Sequence, residues 1–216
     1  PYTTLFRSLK KADFEHLTSV SHSLEGQVFD CGDRKGLFLP LLGSHQLHNA
    51  AVVLSVCDTL REEGWQITEQ NIRDGLHDVR WPGRFDIMRR DPLFIIDGGH
   101  NPQCIQALVK NIQDYLADRP LTILTGVLAD KDYNCMYRNV EPYAKEFITV
   151  TPGNPRALNA HDLAQYLSQF GKPVTACDAV ADGVRLAVEH AGKDGVVLCY
   201  GSLYMIGEIE AGLAQL

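Results

Sequence analysis

The spacing of apolar and polar residues changes along the chain at Pro82-Gly83, and the second part has the clearer pattern. After Arg84, short apolar runs bounded by turn residues predict strands, and longer stretches with apolar residues at i, i+3 and i+4 predict the helices between them. Strands that alternate with helices are typical of right-handed β-α-β crossovers, so we expect an α/β fold with a mainly parallel sheet. The predicted strands are residues 85–90, 93–97, 121–126, 147–150, 174–177 and 196–200.

The strand at residues 85–90 is expected to lie antiparallel at an edge of this sheet. Its turn to the next strand, Asp91-Pro92, is too short for a crossover connection. Asn101 is expected to cap the first helix, with Pro102 in its first turn. Helices are predicted at residues 102–116, 132–144, 160–170, 179–191 and 202–216.

The first part of the chain has a weaker pattern. Two β-prone runs, residues 18–24 and 27–31, flank Glu25-Gly26, which is a plausible two-residue hairpin. A third apolar run, residues 37–42, ends at Gly43. Ser44 is expected to cap a helix that continues to about Glu63, and Thr68 to cap a second helix at residues 69–78. Pro82-Gly83 ends this part, so we expect one domain at residues 9–82 and another at 83–216.

Residues 1–8 fit no pattern that continues into the chain. They resemble the in-frame translation of a common sequencing adapter, and the sequence has no initiator Met. We therefore interpret them as a scar and leave them out of the fold prediction. The remaining sequence is then expected to be the C-terminal part of a longer protein.

Composition narrows the class of protein. The chain is 45% hydrophobic and 22% charged, which is ordinary for a globular protein, and its net charge of −7 argues against a nucleic-acid surface. Its six cysteines are scattered and lie mostly in apolar runs, which indicates reduced thiols and a cytoplasmic location. No apolar run approaches the roughly 20 residues of a membrane span, so no membrane contact is expected.

The strongest chemical signal is the run Asp97-Gly98-Gly99-His100-Asn101-Pro102 at a strand-to-helix junction. Such junctions bind phosphates in α/β proteins, because free backbone N–H groups point out of the helix start. The Asp97 carboxylate can accept hydrogen bonds from ribose hydroxyls, and His100 projects at the helix start. In the alternative interpretation, Asp97 only orders the turn and His100 is solvated.

Two cations are expected near this run. Arg84 follows the rigid turn Trp81-Pro82-Gly83, and a guanidinium with a fixed backbone suits bidentate phosphate contact. Lys131 follows the strand at residues 121–126 and should lie at the same sheet edge as Asp97. The alternatives are a surface salt bridge for Arg84 and a solvated loop lysine, flanked by two acids, for Lys131. Gly201-Ser202 is a further turn expected at this edge.

The run Gly43–Ala51 contains a less certain site. Asn49 lies in an Ala-rich helix start at a cost in helix propensity, so its amide could contact an adenine edge or simply cap locally. His45 and His48 have the i, i+3 spacing of metal ligands, but no third ligand is near in sequence, and we predict no metal site.

Nucleotide motifs are incomplete. The dinucleotide pattern Gly-x-Gly-x-x-Gly is missing at Asp97–Pro102, which argues against a nicotinamide cofactor. The Gly-Lys pairs at Gly171 and Gly192 are not followed by Ser or Thr, so this chain lacks a Walker A loop.

Five motifs together resemble one family, folylpolyglutamate synthase/dihydrofolate synthase, the folate branch of the Mur ligases. They occur in the order typical of that family: Leu42-Gly43-Ser44-His45-Gln46-Leu47-His48-Asn49-Ala50-Ala51, Trp81-Pro82-Gly83-Arg84, Asp97-Gly98-Gly99-His100-Asn101-Pro102, Asp130-Lys131-Asp132 and Gly201-Ser202-Leu203-Tyr204. The resemblance implies that residues 9–82 are the tail of a P-loop ATPase domain and that residues 83–216 form a Rossmann-like C-terminal domain.

The resemblance also implies a reaction. The amino group of L-glutamate would join a folate or dihydropteroate carboxylate through an acyl phosphate, with ATP cleaved to ADP, in a monomeric enzyme. Asn49 would lie near the adenine, Arg84 would contact ATP phosphate, and Asp97 would hold the ribose. His100 and Lys131 would face the phosphates and the incoming glutamate. The P-loop and the Mg²⁺ ligands would lie in the missing N-terminal part, so the chain alone is expected to be inactive.

Three alternatives remain open at the level of sequence. A ligase of peptidoglycan precursors belongs to the same superfamily, although the forms Trp-Pro-Gly-Arg and Asp-Gly-Gly-His-Asn-Pro favour the folate branch. A nicotinamide-dependent oxidoreductase lacks support because its glycine fingerprint is missing. A non-catalytic binding module would require that Arg84 and Asp97 have no effect on activity.

Overall fold

The structure, a computed structural model, describes residues 9–216. The predicted scar, residues 1–8, lies outside the described residues. The chain divides into two compact units that adjoin in sequence between Arg80 and Trp81: unit 1 extends through Arg80 and unit 2 is Trp81–Leu216.

Unit 1 is a three-stranded antiparallel sheet with two helices. The strands pair in the order β1-β2-β3, and the core contains Phe29, Leu37, Leu47, Leu54 and Ile72, each at most 5% exposed. The elements are β1 (Leu17–Ser23), β2 (Gly26–Cys31), β3 (Arg34–Leu39), α1 (Ser44–Glu62) and α2 (Glu69–Asp78).

The sequence predicted these elements but not all of their ends. Thr68 caps α2 as expected, in a capping box with Asn71. The prediction that Ser44 caps α1 is wrong: Ser44 is the first helical residue, and Gly43 precedes it at φ 103° with no side-chain cap. The hairpin turn is also displaced by one residue, because Gly26 pairs with Ser23 as the first residue of β2.

Unit 2 is a six-stranded sheet in the order β4-β5-β9-β6-β7-β8. Only β4 is antiparallel, paired with β5 at one edge, and the other neighbouring pairs are parallel. The expected α/β fold with an antiparallel edge strand is therefore confirmed. The strands are β4 (Asp86–Arg90), β5 (Leu93–Asp97), β6 (Leu121–Thr125), β7 (Ala144–Thr149), β8 (Val174–Ala176) and β9 (Val196–Tyr200).

Helices cover this sheet. The helix α3 begins as predicted, with the Asn101 side chain accepting from Cys104 N at 2.9 Å and Pro102 in the first turn. Strands β5 and β9 contain almost only buried apolar residues, and β6 is buried throughout, as expected for strands covered on both faces. The helices are α3 (Pro102–Tyr115), α4 (Tyr133–Val140), α5 (Ala160–Leu167), α6 (Val180–Ala191) and α7 (Ile206–Leu213).

Several predicted elements of unit 2 have different ends in the structure. The strand predicted at residues 147–150 begins already at Ala144, and the helix predicted at 160–170 ends at Leu167, followed by a 3₁₀ turn. Three further differences have a local cause. Phe85 does not belong to β4, because its φ of 48° cannot continue a strand. The helix predicted at residues 132–144 ends at Val140, followed by a 3₁₀ turn that contains Pro142. The helix predicted at 202–216 begins only at Ile206, because Ser202 caps a 3₁₀ turn at Leu203–Met205.

No helix of residues 9–216 has the length and apolarity needed to cross a membrane. All six cysteines are free thiols, and Cys31 and Cys199 are buried.

Candidate functional site

Three neighbouring strands end level at the carboxyl edge of the unit 2 sheet. Asp97, the last residue of β5, pairs with Tyr200, the last residue of β9, which in turn pairs with Thr125, the last residue of β6. The loops that follow these strands therefore start side by side. This confirms the expectation that three loops meet at one edge, and it is the edge where open α/β sheets bind ligands.

The Asp97 carboxylate joins two loops through backbone N–H groups. Oδ1 accepts from Gly99 N at 2.7 Å, within the loop after β5. Oδ2 accepts from Phe85 N at 3.0 Å, in the turn before β4. A third bond, Gly98 N to Gly83 O at 2.7 Å, ties the same two segments together. Asp97 thus orders more than its own turn.

Burial dominates the ionisation of Asp97. Removal from water raises the pKa of its carboxyl group from 3.8 to about 6, against the hydrogen bonds from Gly99 and Phe85 and the positive charges of Arg84 and His100. Near neutral pH the group is a buried carboxylate, and its identified hydrogen bonds come from backbone N–H groups rather than from a charged side chain.

Arg84 lies in a turn that is held on both sides. The N–H of Gly83 donates to Asp86 Oδ2 at 3.3 Å and closes the four-residue turn. The half-buried Arg84 side chain has no hydrogen bond or ion pair with any residue of the described chain, 9–216. The alternative of a surface salt bridge is therefore not what the structure shows. The turn thus holds the backbone at Arg84, and the N–H groups of its guanidinium have no hydrogen-bond acceptor within residues 9–216.

Phe85 is the feature of this turn that sequence analysis missed. Its φ of 48° is left-handed, which costs a residue with a Cβ atom about 1–2 kcal/mol. Its ring is 2% exposed and packs against Tyr115 of α3, with the ring centroids 5.8 Å apart. In the sequence, only Gly83, two residues earlier and at φ 74°, indicated unusual backbone in this turn.

His100 is oriented by its own loop. Its Nδ1 lies 2.8 Å from Gly98 O. Because a carbonyl oxygen only accepts, Nδ1 must be the protonated donor. The Nε2 atom has no hydrogen bond within residues 9–216.

The loop after β6 presents Lys131. A short backbone ladder pairs this loop with the one after β7: Ala129 N donates to Arg156 O at 2.8 Å, and Leu158 N donates to Val127 O at 2.9 Å. This ladder gives the loop a defined backbone at the carboxyl edge.

The two acids that flank Lys131, Asp130 and Asp132, form hydrogen bonds to other residues. Asp130 accepts from Arg156 at 3.0 Å, and Asp132 caps α4 by accepting from Cys135 N at 3.1 Å. The half-buried Lys131 side chain has no ion pair within the described residues. The flanking acids therefore do not pair with Lys131, and the alternative of a solvated loop lysine stays open beside a binding role.

A buried hydrogen-bond chain joins the strands behind these loops. Thr125 Oγ1 donates to Tyr200 O at 2.8 Å and lies 2.8 Å from Tyr137 Oη, so Tyr137 donates to it. The loops above approach so closely that a Cβ on Gly201 would lie 2.5 Å from Gly126 O. This contact, together with a φ of 117°, requires glycine at position 201.

Asn49 lies in unit 1, on the first half of α1. Its Nδ2 donates at 2.9 Å to Oε1 of Gln46, a buried residue that sequence analysis did not single out. Both line an otherwise mostly apolar cavity of about 270 Å³ between α1, α2 and β3. No hydrogen bond of Asn49 Oδ1 is found within residues 9–216.

His45 and His48 do not gather other ligands. His48 Nδ1 contacts Ser44 O at 3.1 Å. Within residues 9–216, no group of three or more His, Cys, Asp or Glu side chains could hold a metal ion.

These features define a class of protein: an open α/β domain whose carboxyl sheet edge has a carboxylate, Asp97, and two cations, Arg84 and Lys131, that form no ion pair within residues 9–216. Residues 83–203 match the family model described as Mur ligase, glutamate ligase domain. The match covers more than half of the sequence, and the chain belongs to the Mur ligase family.

Similar proteins of known name agree with this family assignment. The chain is 37% identical over 139 residues to folylpolyglutamate synthase of Lacticaseibacillus casei, covering 62% of this chain and 32% of that protein. It is 29% identical over 174 residues to dihydrofolate synthase/folylpolyglutamate synthase of Bacillus subtilis, covering 80% of this chain and 40% of that one. The chain therefore spans less than half the length of these relatives.

Solved structures show the same fold. Folylpolyglutamate synthase of Thermotoga maritima superposes with a TM-score of 0.77 at 28% identity, over 92% of this chain and 46% of that one. The Mycobacterium tuberculosis folylpolyglutamate synthase, complexed with ADP and AMPPCP, gives 0.75 at 27% identity, over 94% of this chain and 48% of that one.

Proposed function

We propose that this chain is part of an ATP-dependent ligase that joins L-glutamate to a folate or dihydropteroate carboxylate. In this proposal, residues 9–82 belong to the ATPase domain and residues 83–216 form the glutamate ligase domain. The family match supports the reaction class, and the named relatives support the folate substrate. The observation that carries the proposal is that Arg84 and Lys131, which form no ion pair within residues 9–216, lie on loops at the carboxyl edge of one sheet.

The two cations suit the chemistry of acyl transfer from a phosphate. In a reaction through an acyl phosphate, negative charge builds on the transferring phosphoryl group, and preset cations stabilise it. We assign Arg84 to the ATP phosphates because its backbone is fixed and its guanidinium has unused donors. Lys131 and His100 are assigned to the phosphates and the incoming glutamate carboxylates, with His100 Nε2 as the contacting atom.

Asn49 and Asp97 are assigned to the nucleoside. Asn49 is at the rim of an apolar cavity, and an amide beside an apolar surface suits an adenine edge. Asp97 retains lone pairs beyond the two used by Gly99 and Phe85, and these can accept from ribose hydroxyls. Relatives complexed with ADP support a nucleotide ligand in this family.

Magnesium is expected as a cofactor of the complete enzyme. The described residues offer no donor set for it, so we assign no metal ligand to this chain. The chain also contains no Walker A loop, and we expect the 216 residues alone to release no ADP.

We expect a cytoplasmic monomer acting on small molecules, without nucleic acid or membrane partners. The free cysteines and the net charge of −7 support this expectation.

The test uses a full-length enzyme that contains this chain. ADP release should require both glutamate and a pteroate or reduced folate, and Arg84→Ala should raise the KM for ATP roughly tenfold or more. Arg185→Ala is the matched control, since Arg185 forms an exposed pair with Asp182 on α6. Activity on a nucleotide-sugar peptide instead of a folate would favour the peptidoglycan branch and overturn the substrate assignment. An unchanged KM in the Arg84 variant would overturn its phosphate role.

A further inference from the structure

The turn that presents Arg84 contains two left-handed residues, one on each side of it. Gly83 has a φ of 74°, which glycine adopts freely, and Phe85 has a φ of 48°. A bulky residue persists in this region only when its surroundings determine the conformation. Glycine at position 85 would satisfy the backbone better, so the phenylalanine needs another explanation.

Its surroundings provide three fixed points. The Phe85 ring is buried against Tyr115 of α3, and its N–H is bound by the Asp97 carboxylate at 3.0 Å. On the other side of Arg84, Gly83 O accepts from Gly98 N at 2.7 Å. The peptide units before and after Arg84 are therefore both hydrogen-bonded to one short segment, Asp97-Gly98, where β5 ends and the loop to α3 begins.

Fixed points on both sides have a geometric consequence for the side chain between them. The Cα–Cβ direction of Arg84 follows from its own backbone, which the bonds at Gly83 and Phe85 define. If the Phe85 anchor were lost, the turn could relax toward an ordinary strand conformation, since β4 begins at the next residue, Asp86. The Cα–Cβ bond of Arg84 would then point in a different direction, and the guanidinium would be displaced with it.

We propose that Phe85 is a positioning residue for nucleotide binding: its buried ring and captured N–H hold the left-handed backbone that aims Arg84 at the ATP phosphates. The proposal rests on the proposed function, because it takes the phosphate role of Arg84 as given. It adds a residue that does not itself contact the nucleotide.

The experiment compares Phe85→Leu with Phe147→Leu in the full-length enzyme. Phe147 of β7 is a matched control, because it too is fully buried and contacts a tyrosine ring, that of Tyr137. Phe85→Leu should raise the KM for ATP roughly tenfold, by no more than Arg84→Ala does, and leave the KM for glutamate unchanged. Phe147→Leu should lower stability without changing either KM. Phe85→Gly, which suits the left-handed backbone but removes the anchor, should behave like Phe85→Leu.

A double-mutant cycle with Arg84→Ala separates the possible failures. If Phe85 acts through Arg84, Phe85→Leu should not raise the KM for ATP further when Arg84 is already alanine. An equal rise in that background, or equal KM changes in the Phe85 and Phe147 variants, would overturn the positioning role. If Arg84→Ala has an effect and Phe85→Leu has none, this inference fails and the phosphate role stands. If Arg84→Ala has no effect on the KM for ATP, the phosphate role itself fails.

Discussion

Two carboxylates lie toward opposite edges of the unit 2 sheet, and their pKa values move in opposite directions. Asp97 ends β5 at the carboxyl edge, and its pKa is raised to about 6. Glu146 of β7 pairs in register with Thr122, the second residue of β6, toward the amino edge, and its pKa is lowered. Burial acts on both in the same direction, so the difference must come from their partners.

Glu146 has dedicated side-chain partners. Burial alone would raise its pKa, but a hydrogen bond from His190 Nδ1 at 2.7 Å and one from Thr122 Oγ1 at 3.0 Å outweigh this effect. The side chain of Lys145 adds a weaker attraction at 3.6 Å. These contacts hold the carboxylate in its charged form.

Within residues 9–216, Asp97 accepts hydrogen bonds only from backbone N–H groups and from no side chain. The charge of Arg84 lowers its pKa only through space, and the guanidinium makes no hydrogen bond to it. The carboxylate at the amino edge is thus paired and stabilises the fold. Asp97, at the carboxyl edge, is held in its charged form less strongly, so its ionisation lowers the stability of the folded chain. A carboxyl group with such a raised pKa beside the cation Arg84 is typical of a binding site.

The largest expected effect separates the two groups by pH. Because the folded pKa of Asp97 lies above its ordinary value of 3.8, its favourable contribution is present below pH 3.8 and is lost as the pH rises through about 6. Relative to Asp97→Asn, the wild-type chain should therefore lose roughly 2 kcal/mol of unfolding free energy between pH 4 and pH 7. Hydrogen exchange of the β5 and β9 amides measures this. Parallel pH curves for the two proteins would contradict it.

A smaller effect of opposite sign is expected for Glu146→Gln. The contribution of Glu146 is present above its ordinary pKa of 4.5 and is lost as the pH falls through the lowered folded value. At pH 7 the variant should unfold with about 1–2 kcal/mol less free energy, and this deficit should shrink in acid. Urea unfolding across pH 3–7 tests it, with Glu189→Gln, another glutamate of unit 2, as the control. If the loss of unfolding free energy in Glu146→Gln instead grew as the pH falls, Glu146 and Asp97 would not differ in the way proposed.

The smallest effect is expected for Lys145→Ala. Lys145 is about half exposed and contacts Glu146 at 3.6 Å, so solvent screens the pair. A double-mutant cycle with Glu146→Gln should give a coupling energy of at most about 0.5 kcal/mol, which decreases further with salt. A coupling above about 1 kcal/mol would show that Lys145, and not His190 and Thr122, decides the state of Glu146.

Local pattern predicted most of unit 2. The predicted strands Leu93–Asp97 and Val196–Tyr200 have the observed ends. A buried parallel strand needs an unbroken apolar run, and the turn residues on either side of these two runs mark where each strand stops. Asn101 and Thr68 cap their helices as expected, since a cap is a contact across three residues.

The sequence by itself determined the α/β class, the edge position of β4 and the loops that hold Arg84, Asp97, His100 and Lys131. These depend on apolar period, loop length and turn residues close together in the chain. Only the tertiary structure decided the left-handed Phe85 and the engagement of Asp130 by Arg156. It also placed β9 between β5 and β6. Each of these depends on contacts between residues far apart in sequence, where the packing of the whole domain outweighs local conformational preference.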